Sequence, residues 1–161
     1  IQAANPSLED FENHEGCNEI LNVSRPDIVR NVHCQYLAVG VDAIETNTFG
    51  ANLANLAEYG IESRIYELSK AGAELARSAC DEFSNDTRQR FVLGSMGPGT
   101  KLPTLGHTSY EVLKEAYYQN AKGLLDGGAD ALLIETSQDL LQTKSAIKAG
   151  KSIRTYGYTE P

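Results

Sequence analysis

Apolar residues recur with two different periods along the chain, and the switches between them mark out its elements. Residues 1–23 are polar and irregular; Ser7 is placed to cap a short helix or turn containing Asp10. Ser24-Arg-Pro-Asp then reads as a helix start. Ser24 stands at the N-cap, Pro26 in the first turn and Asp27 near the positive end of the dipole, and Ile28, Val32, Tyr36 and Val39 follow at helical spacing up to Gly40. VDAIETNTF, 41–49, is β-branched and alternating, as a strand requires. GANLANLAEYG breaks that pattern before a long helix over 61–84.

FVLGSMGPG, 91–99, predicts a second strand running into a Gly/Pro loop. Thr108-Ser-Tyr-Glu111 has capping-box spacing and opens a helix through Tyr117, Ala121 and Leu124 that Gly127-Gly128 stops. ADALLIETS supplies a third strand. Gln138 or Asp139 begins a last helix, whose apolar residues Leu140, Leu141, Ile147 and Ile153 thin out toward a polar end at Gly157–Pro161, and no strand pattern follows it.

Strands that alternate with long helices predict βα units on a parallel sheet, so the fold class is α/β. AVGVDAIET and DGGADALLIET repeat one helix-Gly-x-Asp-strand unit, which is a weak internal repeat. A (β/α)8 barrel takes about 250 residues. Three strands and about four helices in 161 residues therefore make either a short doubly wound domain or part of a TIM barrel, and periodicity does not choose between them.

Composition narrows the partners. With 41% hydrophobic and 22% charged residues the chain is long enough and apolar enough for one compact domain. A net charge of -8 without any Lys/Arg cluster argues against nucleic acid, whose recognition depends on neutralising phosphates. Cys17, Cys34 and Cys80 lack CxxC spacing, so neither a disulfide framework nor a zinc knuckle is legible, and a reducing, cytoplasmic setting is expected. No apolar run approaches the roughly 20 residues of a membrane-spanning helix. The chain starts at Ile1 with neither signal peptide nor initiator Met, and is expected to be trimmed or excised.

In parallel α/β folds ligands bind at the carboxyl ends of strands, which singles out Glu45–Phe49, Ser95–Thr100 and Glu135–Asp139. Alternation puts Glu45, Asn47 and Phe49 on one face of the first strand and Ile44, Thr46 and Thr48 on the other; Leu133, Glu135 and Ser137 share a face of the third. A carboxylate facing into a sheet must be paired, and an amine or ammonium ligand would satisfy Glu135. A cap or partner for a neighbouring loop's N–H groups fits it equally well. For Glu45, deeper in its strand, a structural ion pair is expected. GSMGPGT lacks GxGxxG or GxxxxGK[ST] order and is expected to be a tight loop rather than a phosphate cradle. His14, His33 and His107 are scattered: His33 lies in a helix as an ordinary surface or packing residue, and His107 in a loop with no evident partner. Cys34 and Cys80 read as small buried hydrophobes, and Cys17 as an isolated loop thiol.

Three ordered blocks, GCNEILNVSRPDIVRNVHCQYLAVGVDAIETNTFGAN, GSMGPGTKLPTLG and GGADALLIETSQDLLQTKSAI, together resemble the homocysteine-binding domain of the cobalamin-dependent methionine synthase family, over nearly the whole chain. The resemblance implies a (β/α)8 barrel that binds homocysteine and zinc, the zinc-bound thiolate taking a methyl group from methylcobalamin and ultimately from methyltetrahydrofolate. In that family a Glu ending the fourth strand holds the homocysteine amino group, and Glu135 matches it. Phe49, the aromatic of the TNTF strand end, lines the same pocket in related betaine enzymes, and Asn47 and Thr48 complete the expected substrate-binding set. The family's DGAMGT-like opening and its GxNC- and GGCCGT-like zinc motifs do not occur here. The resemblance therefore implies that residues 1–161 form a single incomplete barrel domain, roughly strands two to four with their helices. Its first strand and C-terminal half are then absent, its zinc ligands lie outside the chain, and its cobalamin and folate sites lie on other domains of a parent protein. Such a piece is expected to be inactive alone and to self-associate through exposed sheet edges. A homocysteine methyltransferase using betaine or S-methylmethionine, or a non-catalytic half-barrel binding module, are the alternatives.

Overall fold

The computed structural model describes residues 1–156. Its helices are α1 (Leu21–Ser24), α2 (Pro26–Ala38), α3 (Leu53–Glu58), α4 (Ile65–Phe83), α5 (Tyr110–Asp126) and α6 (Leu140–Tyr156), and its strands are β1 (Ala43–Glu45), β2 (Phe91–Met96) and β3 (Ala131–Ile134). The polar end expected at 157–161 lies outside the described residues. The strands pair in parallel in the order β1-β2-β3, with Glu45 beside Leu93 and Leu93 beside Ala131. Each strand is followed by a helix, as βα units demand.

The helices cover one face of this sheet. Ile44 of β1 and Val92 of β2 are buried with Leu37 of α2 and Ala76, Ala79 and Cys80 of α4. Met96 packs with Leu124 of α5 and with Ala146, Ala149 and Ile153 of α6. Small residues let these helices approach closely: a Cβ on Gly123 would stand 2.6 Å from the Tyr66 carbonyl oxygen. The alternate strand positions Glu45, Leu93, Ser95 and Leu133, with Glu135 beyond them, face away from the helices.

Several expectations shift. Ser24 ends α1 rather than capping α2, because its hydroxyl donates to the Asp10 carbonyl at 2.5 Å and the Ile20 carbonyl at 3.2 Å. Arg25 takes the N-cap position without a side-chain cap and turns its guanidinium onto Asp27. The inward stripe of α2 is Ile28, Val29, His33 and Leu37, whereas Tyr36 is 61% and Val39 80% exposed. Two apolar stripes share Ile28, and the one containing a neutral imidazole is the buried one.

Ser7 and Asp10 bond reciprocally, yet no helix grows there, since Glu12 and Asn13 hold left-handed φ of 52° and 65°. The strand expected over 41–49 is regular only at Ala43–Glu45, and the stretch after it contains a helix, α3, that the sequence pattern did not reveal. Asn52 caps it by accepting the Asn55 N–H. The long helix begins at Ile65, after a 3-10 turn at Glu62–Arg64. Among the described residues β1 and β3 each leave one edge unpaired. Along the β1 edge runs a cleft of about 480 Å³ between the strand and α2, lined by Ile1, Val29, His33, Tyr36, Ile44 and Glu45 among others.

Candidate functional site

The carboxyl ends of the three strands are tied into one hydrogen-bonded layer. Thr46 Oγ1 accepts the Ser95 N–H at 3.0 Å, and Thr48 Oγ1 donates to the Ser95 carbonyl at 2.7 Å. The two hydroxyls lie 2.6 Å apart, and since Thr48 has spent its only proton on Ser95, Thr46 donates to Thr48. Ser95 in turn donates its hydroxyl to Glu135 Oε1 at 2.6 Å, a charge-assisted bond from β2 to the residue after β3. Glu135 thus has one oxygen held within the protein.

The backbone beyond Glu135 is strained. Thr136 adopts φ of 56°, a left-handed conformation that a β-branched residue avoids, and such outliers gather at functional sites because surrounding structure must enforce them. Ser137 Oγ is buried without a partner among the described residues. Asp139 then accepts N–H groups from Leu141 at 2.8 Å and Gln142 at 3.2 Å, capping α6 as its position predicted. It also accepts the Thr104 N–H at 3.0 Å and the Thr104 hydroxyl. Burial alone would raise its pKa, but the bonds from Thr104, Gln142 and Leu141 together hold the carboxyl below its ordinary value. Gln142 adds a second staple, donating to the Pro98 and Lys101 carbonyls at 2.5 and 3.2 Å. The GSMGPGT loop is therefore a tight connection lashed to α6 and α5, where Tyr117 donates to its Gly97 and Pro98 carbonyls.

Phe49 is exposed at the same end of the sheet. Its carbonyl packs so closely on Gly97 that a Cβ there would collide with it, and its ring edge lies 3.0 Å from that same Cβ position. Asn47 is half-buried and points both of its donor protons at the chain, to the Asn18 carbonyl at 2.8 Å and to Asn22 Oδ1 at 2.9 Å. Thr48 is 1% exposed, on the helix side of the strand end. The four expected ligand residues thus separate: Glu135 lies past the end of β3 on Ser95, Phe49 past the end of β1 lines a cleft with Cys17, Glu19 and Tyr59, and Asn47 and Thr48 have their polar groups engaged within the chain. The ion pair expected for Glu45 does not form among the described residues. Its register neighbour is Leu93, and Arg88 and Arg90 are drawn to Asp42 at the opposite end of the strands.

Of two buried ionisable groups, one, Glu19, escaped sequence reasoning. Glu19 sits on a 3-10 turn at Asn18–Ile20 and accepts the Gly50 N–H at 2.7 Å; burial pushes its pKa up, against the bonds it receives. His33, expected as a surface or packing residue, is the latter: it is buried, its Nε2 has no partner among the described residues, and desolvation lowers its pKa to about 4. The N-E dipeptide and a histidine between Val32 and Cys34 carry no local signal of burial. His107 does have a partner, accepting the Leu102 N–H at 3.3 Å. Cys34 is half-buried and Cys80 buried, in helices. Cys17 is buried as well, and desolvation raises its thiol and that of Cys80 to about 11, the reverse of a metal-binding or nucleophilic cysteine. No group of three or more His, Cys, Asp or Glu side chains gathers into a metal-ligating cluster among the described residues.

The family profile described as homocysteine S-methyltransferase matches residues 1–158. The methionine synthase of Mycobacterium tuberculosis is 56% identical over 155 residues, and that of Mycobacterium leprae 53%. Each alignment takes in 96% of this chain but only 13% of the relative, so the chain spans about an eighth of the curated relatives it matches. Among solved structures, the oxidized form of the Escherichia coli homocysteine methyltransferase MmuM superposes with a TM-score of 0.73 over 96% of this chain and 55% of that one, and its metallated form with 0.74 over 94% and 55%. At 24% identity that likeness speaks for the fold alone, and the fold it indicates is part of a TIM barrel.

Proposed function

This chain belongs to the homocysteine S-methyltransferase family, and from that premise we propose that it is the homocysteine-binding portion of a methyltransferase that methylates the homocysteine thiol to give methionine. The observation that carries this is Glu135: a carboxylate at the carboxyl end of β3, with one oxygen fixed by Ser95 and the backbone after it strained. Such a group is preorganised to accept an ammonium. The second oxygen accepts the substrate's N–H donors without having to reorient, so little of the binding energy is lost to ordering the site.

Phe49, exposed at the same end of the sheet, offers an apolar surface for the methylenes of an amino-acid side chain whose charged end Glu135 takes. Asn47 and Thr48 serve the site through the strand ends they tie rather than by touching ligand. Residues 1–161 constitute a single incomplete barrel domain whose first strand and C-terminal half come from elsewhere in a longer parent. The free edges of β1 and β3 are the seams at which that polypeptide would join. In isolation the same edges favour self-association.

The residues described here do not fit zinc: no cluster of ligands forms, and two of the three thiols are held protonated. The zinc, cobalamin and methyltetrahydrofolate that the resemblance implies are assigned to residues and domains of the parent beyond this chain, and no step is derived through them. Methylcobalamin, rather than betaine or S-methylmethionine, is the proposed donor, as the resemblance to the cobalamin-dependent family implies. No helix among the described residues is long and apolar enough to cross a membrane, and a cytoplasmic site of action is part of the proposal.

The test is ligand discrimination by the full-length parent. Equilibrium dialysis against homocysteine and against 4-mercaptobutanoate, which lacks only the amino group, should show markedly tighter binding of homocysteine. Equal affinity for the two would remove the ammonium-binding role and with it the proposal.

A further inference from the structure

We propose that Glu19 is a positioning residue that sets the direction of Phe49 at the carboxyl end of the sheet, an inference that rests on the site described above. Oε1 of Glu19 accepts the N–H of Gly50 at 2.7 Å, and the two approach so closely that a Cβ on Gly50 would stand 2.6 Å from the same oxygen. That N–H belongs to the peptide unit whose carbonyl is Phe49's own. The carbonyl end is held as well: Asn52 Nδ2 donates to it at 3.2 Å, and it rests against Gly97, where only a missing side chain leaves room. A peptide plane gripped at both polar ends cannot rotate, so the chain leaves Phe49 in one direction and the ring is held over Gly97.

Stability gives little reason for a carboxylate here. Glu19 is 9% exposed and no ion pair reaches it among the described residues; besides the Gly50 N–H it meets its own backbone N–H and the Cys17 thiol, the last at 3.8 Å. A buried carboxylate without a cation is a cost that an apolar or amide side chain would avoid. What the carboxylate supplies is a strong acceptor for the Gly50 N–H. The turn that carries Glu19 and the helix after it add to this, since Asn18 and, in α1, Asn22 hold Asn47, two residues before Phe49.

The test is a double-mutant cycle in the full-length parent, read as homocysteine dissociation constants by calorimetry, with a thermal melt of each variant. Phe49→Ala should weaken binding. Glu19→Ala should weaken it by about tenfold, the scale of one lost hydrogen bond to a charged group. Glu19→Gln, which keeps an oxygen for Gly50, should recover most of that loss, and Glu19→Ala should add nothing in the Phe49→Ala background. Additive losses, or unchanged binding in Glu19→Ala beside weakened binding in Phe49→Ala, would overturn the positioning role while leaving the site reading intact. If Phe49→Ala binds homocysteine normally, Phe49 is no part of the site and the positioning role is overturned with it, while the role of Glu135 stands. Should Glu19→Ala not melt cooperatively, Glu19→Asp, one methylene too short to reach Gly50, replaces it: a loss that vanishes without Phe49 supports the role, and one that persists overturns it.

Discussion

Ser95 Oγ stands 2.6 Å from Glu135 Oε1 and joins the second strand to the residue that ends the third. Ser95 is itself fixed at its N–H by Thr46 and at its carbonyl by Thr48, so its hydroxyl has little freedom except to serve Glu135. Ser95→Ala should leave the fold intact and raise the homocysteine dissociation constant of the full-length protein about three- to tenfold, as expected for one net hydrogen bond. Calorimetric titration measures this. An unchanged constant would mean that Glu135 needs no help to face its ligand.

Asp139 carries two structural duties at once, capping α6 and anchoring Thr104. Asp139→Ala should destabilise the domain by more than the loss of a helix cap alone, because the Thr104 bonds go too. Its folded pKa is depressed, so its contribution is fully present above the unfolded value of 3.8 and is lost as pH falls through the folded one. Urea unfolding at pH 7 and in the acid range checks both statements. A variant as stable as the parent sequence at pH 7 would contradict them.

His33 gives a different pH signature. Its folded pKa of about 4 lies below the ordinary 6.5, so between those values the unfolded chain binds a proton that the folded chain refuses. Stability from this group is therefore complete above pH 6.5, declines as pH falls toward 4 by on the order of 3 kcal/mol, and is flat below. Melting temperatures of the wild type and His33→Gln should converge or cross over that window. Parallel pH profiles would show that His33 is not buried as described.

Residues 1–161 expressed alone should self-associate, since two strand edges and the cleft beside β1 stand open. Size-exclusion chromatography with light scattering at several concentrations should show a mass that rises with concentration. A sharp monomer at all concentrations would contradict this.

Much of the fold was legible because strand and helix periods differ: the three strands, their parallel pairing and the helix start at Asp139 follow from spacing and capping chemistry, whereas the capping box expected from Thr108 to Glu111 is displaced by one residue, Ser109 taking the N-cap and accepting the Val112 N–H. The errors have physical causes. Ser24 looked like a cap, but a distant carbonyl, that of Asp10, claimed its hydroxyl. Helical spacing in α2 allowed two stripes, and a buried neutral His33 decided between them. α3 was hidden by the glycines and polar residues that flank it. At the site, alternation placed Glu135 and the two faces of β1 correctly, but the bonds that join Ser95 to Glu135 and Glu19 to Gly50 span 40 and 31 residues, and no local pattern announces a partner that far away.

The central claim is that Glu135 holds the substrate's ammonium. The most direct measurement is the homocysteine dissociation constant of full-length Glu135→Gln, taken beside its metal content and melting temperature. An amide keeps the shape and removes the charge, so affinity should fall at least tenfold, the low end for a charge-assisted pair, while metal content and melting stay as in the wild type. Wild-type affinity in Glu135→Gln would contradict the account.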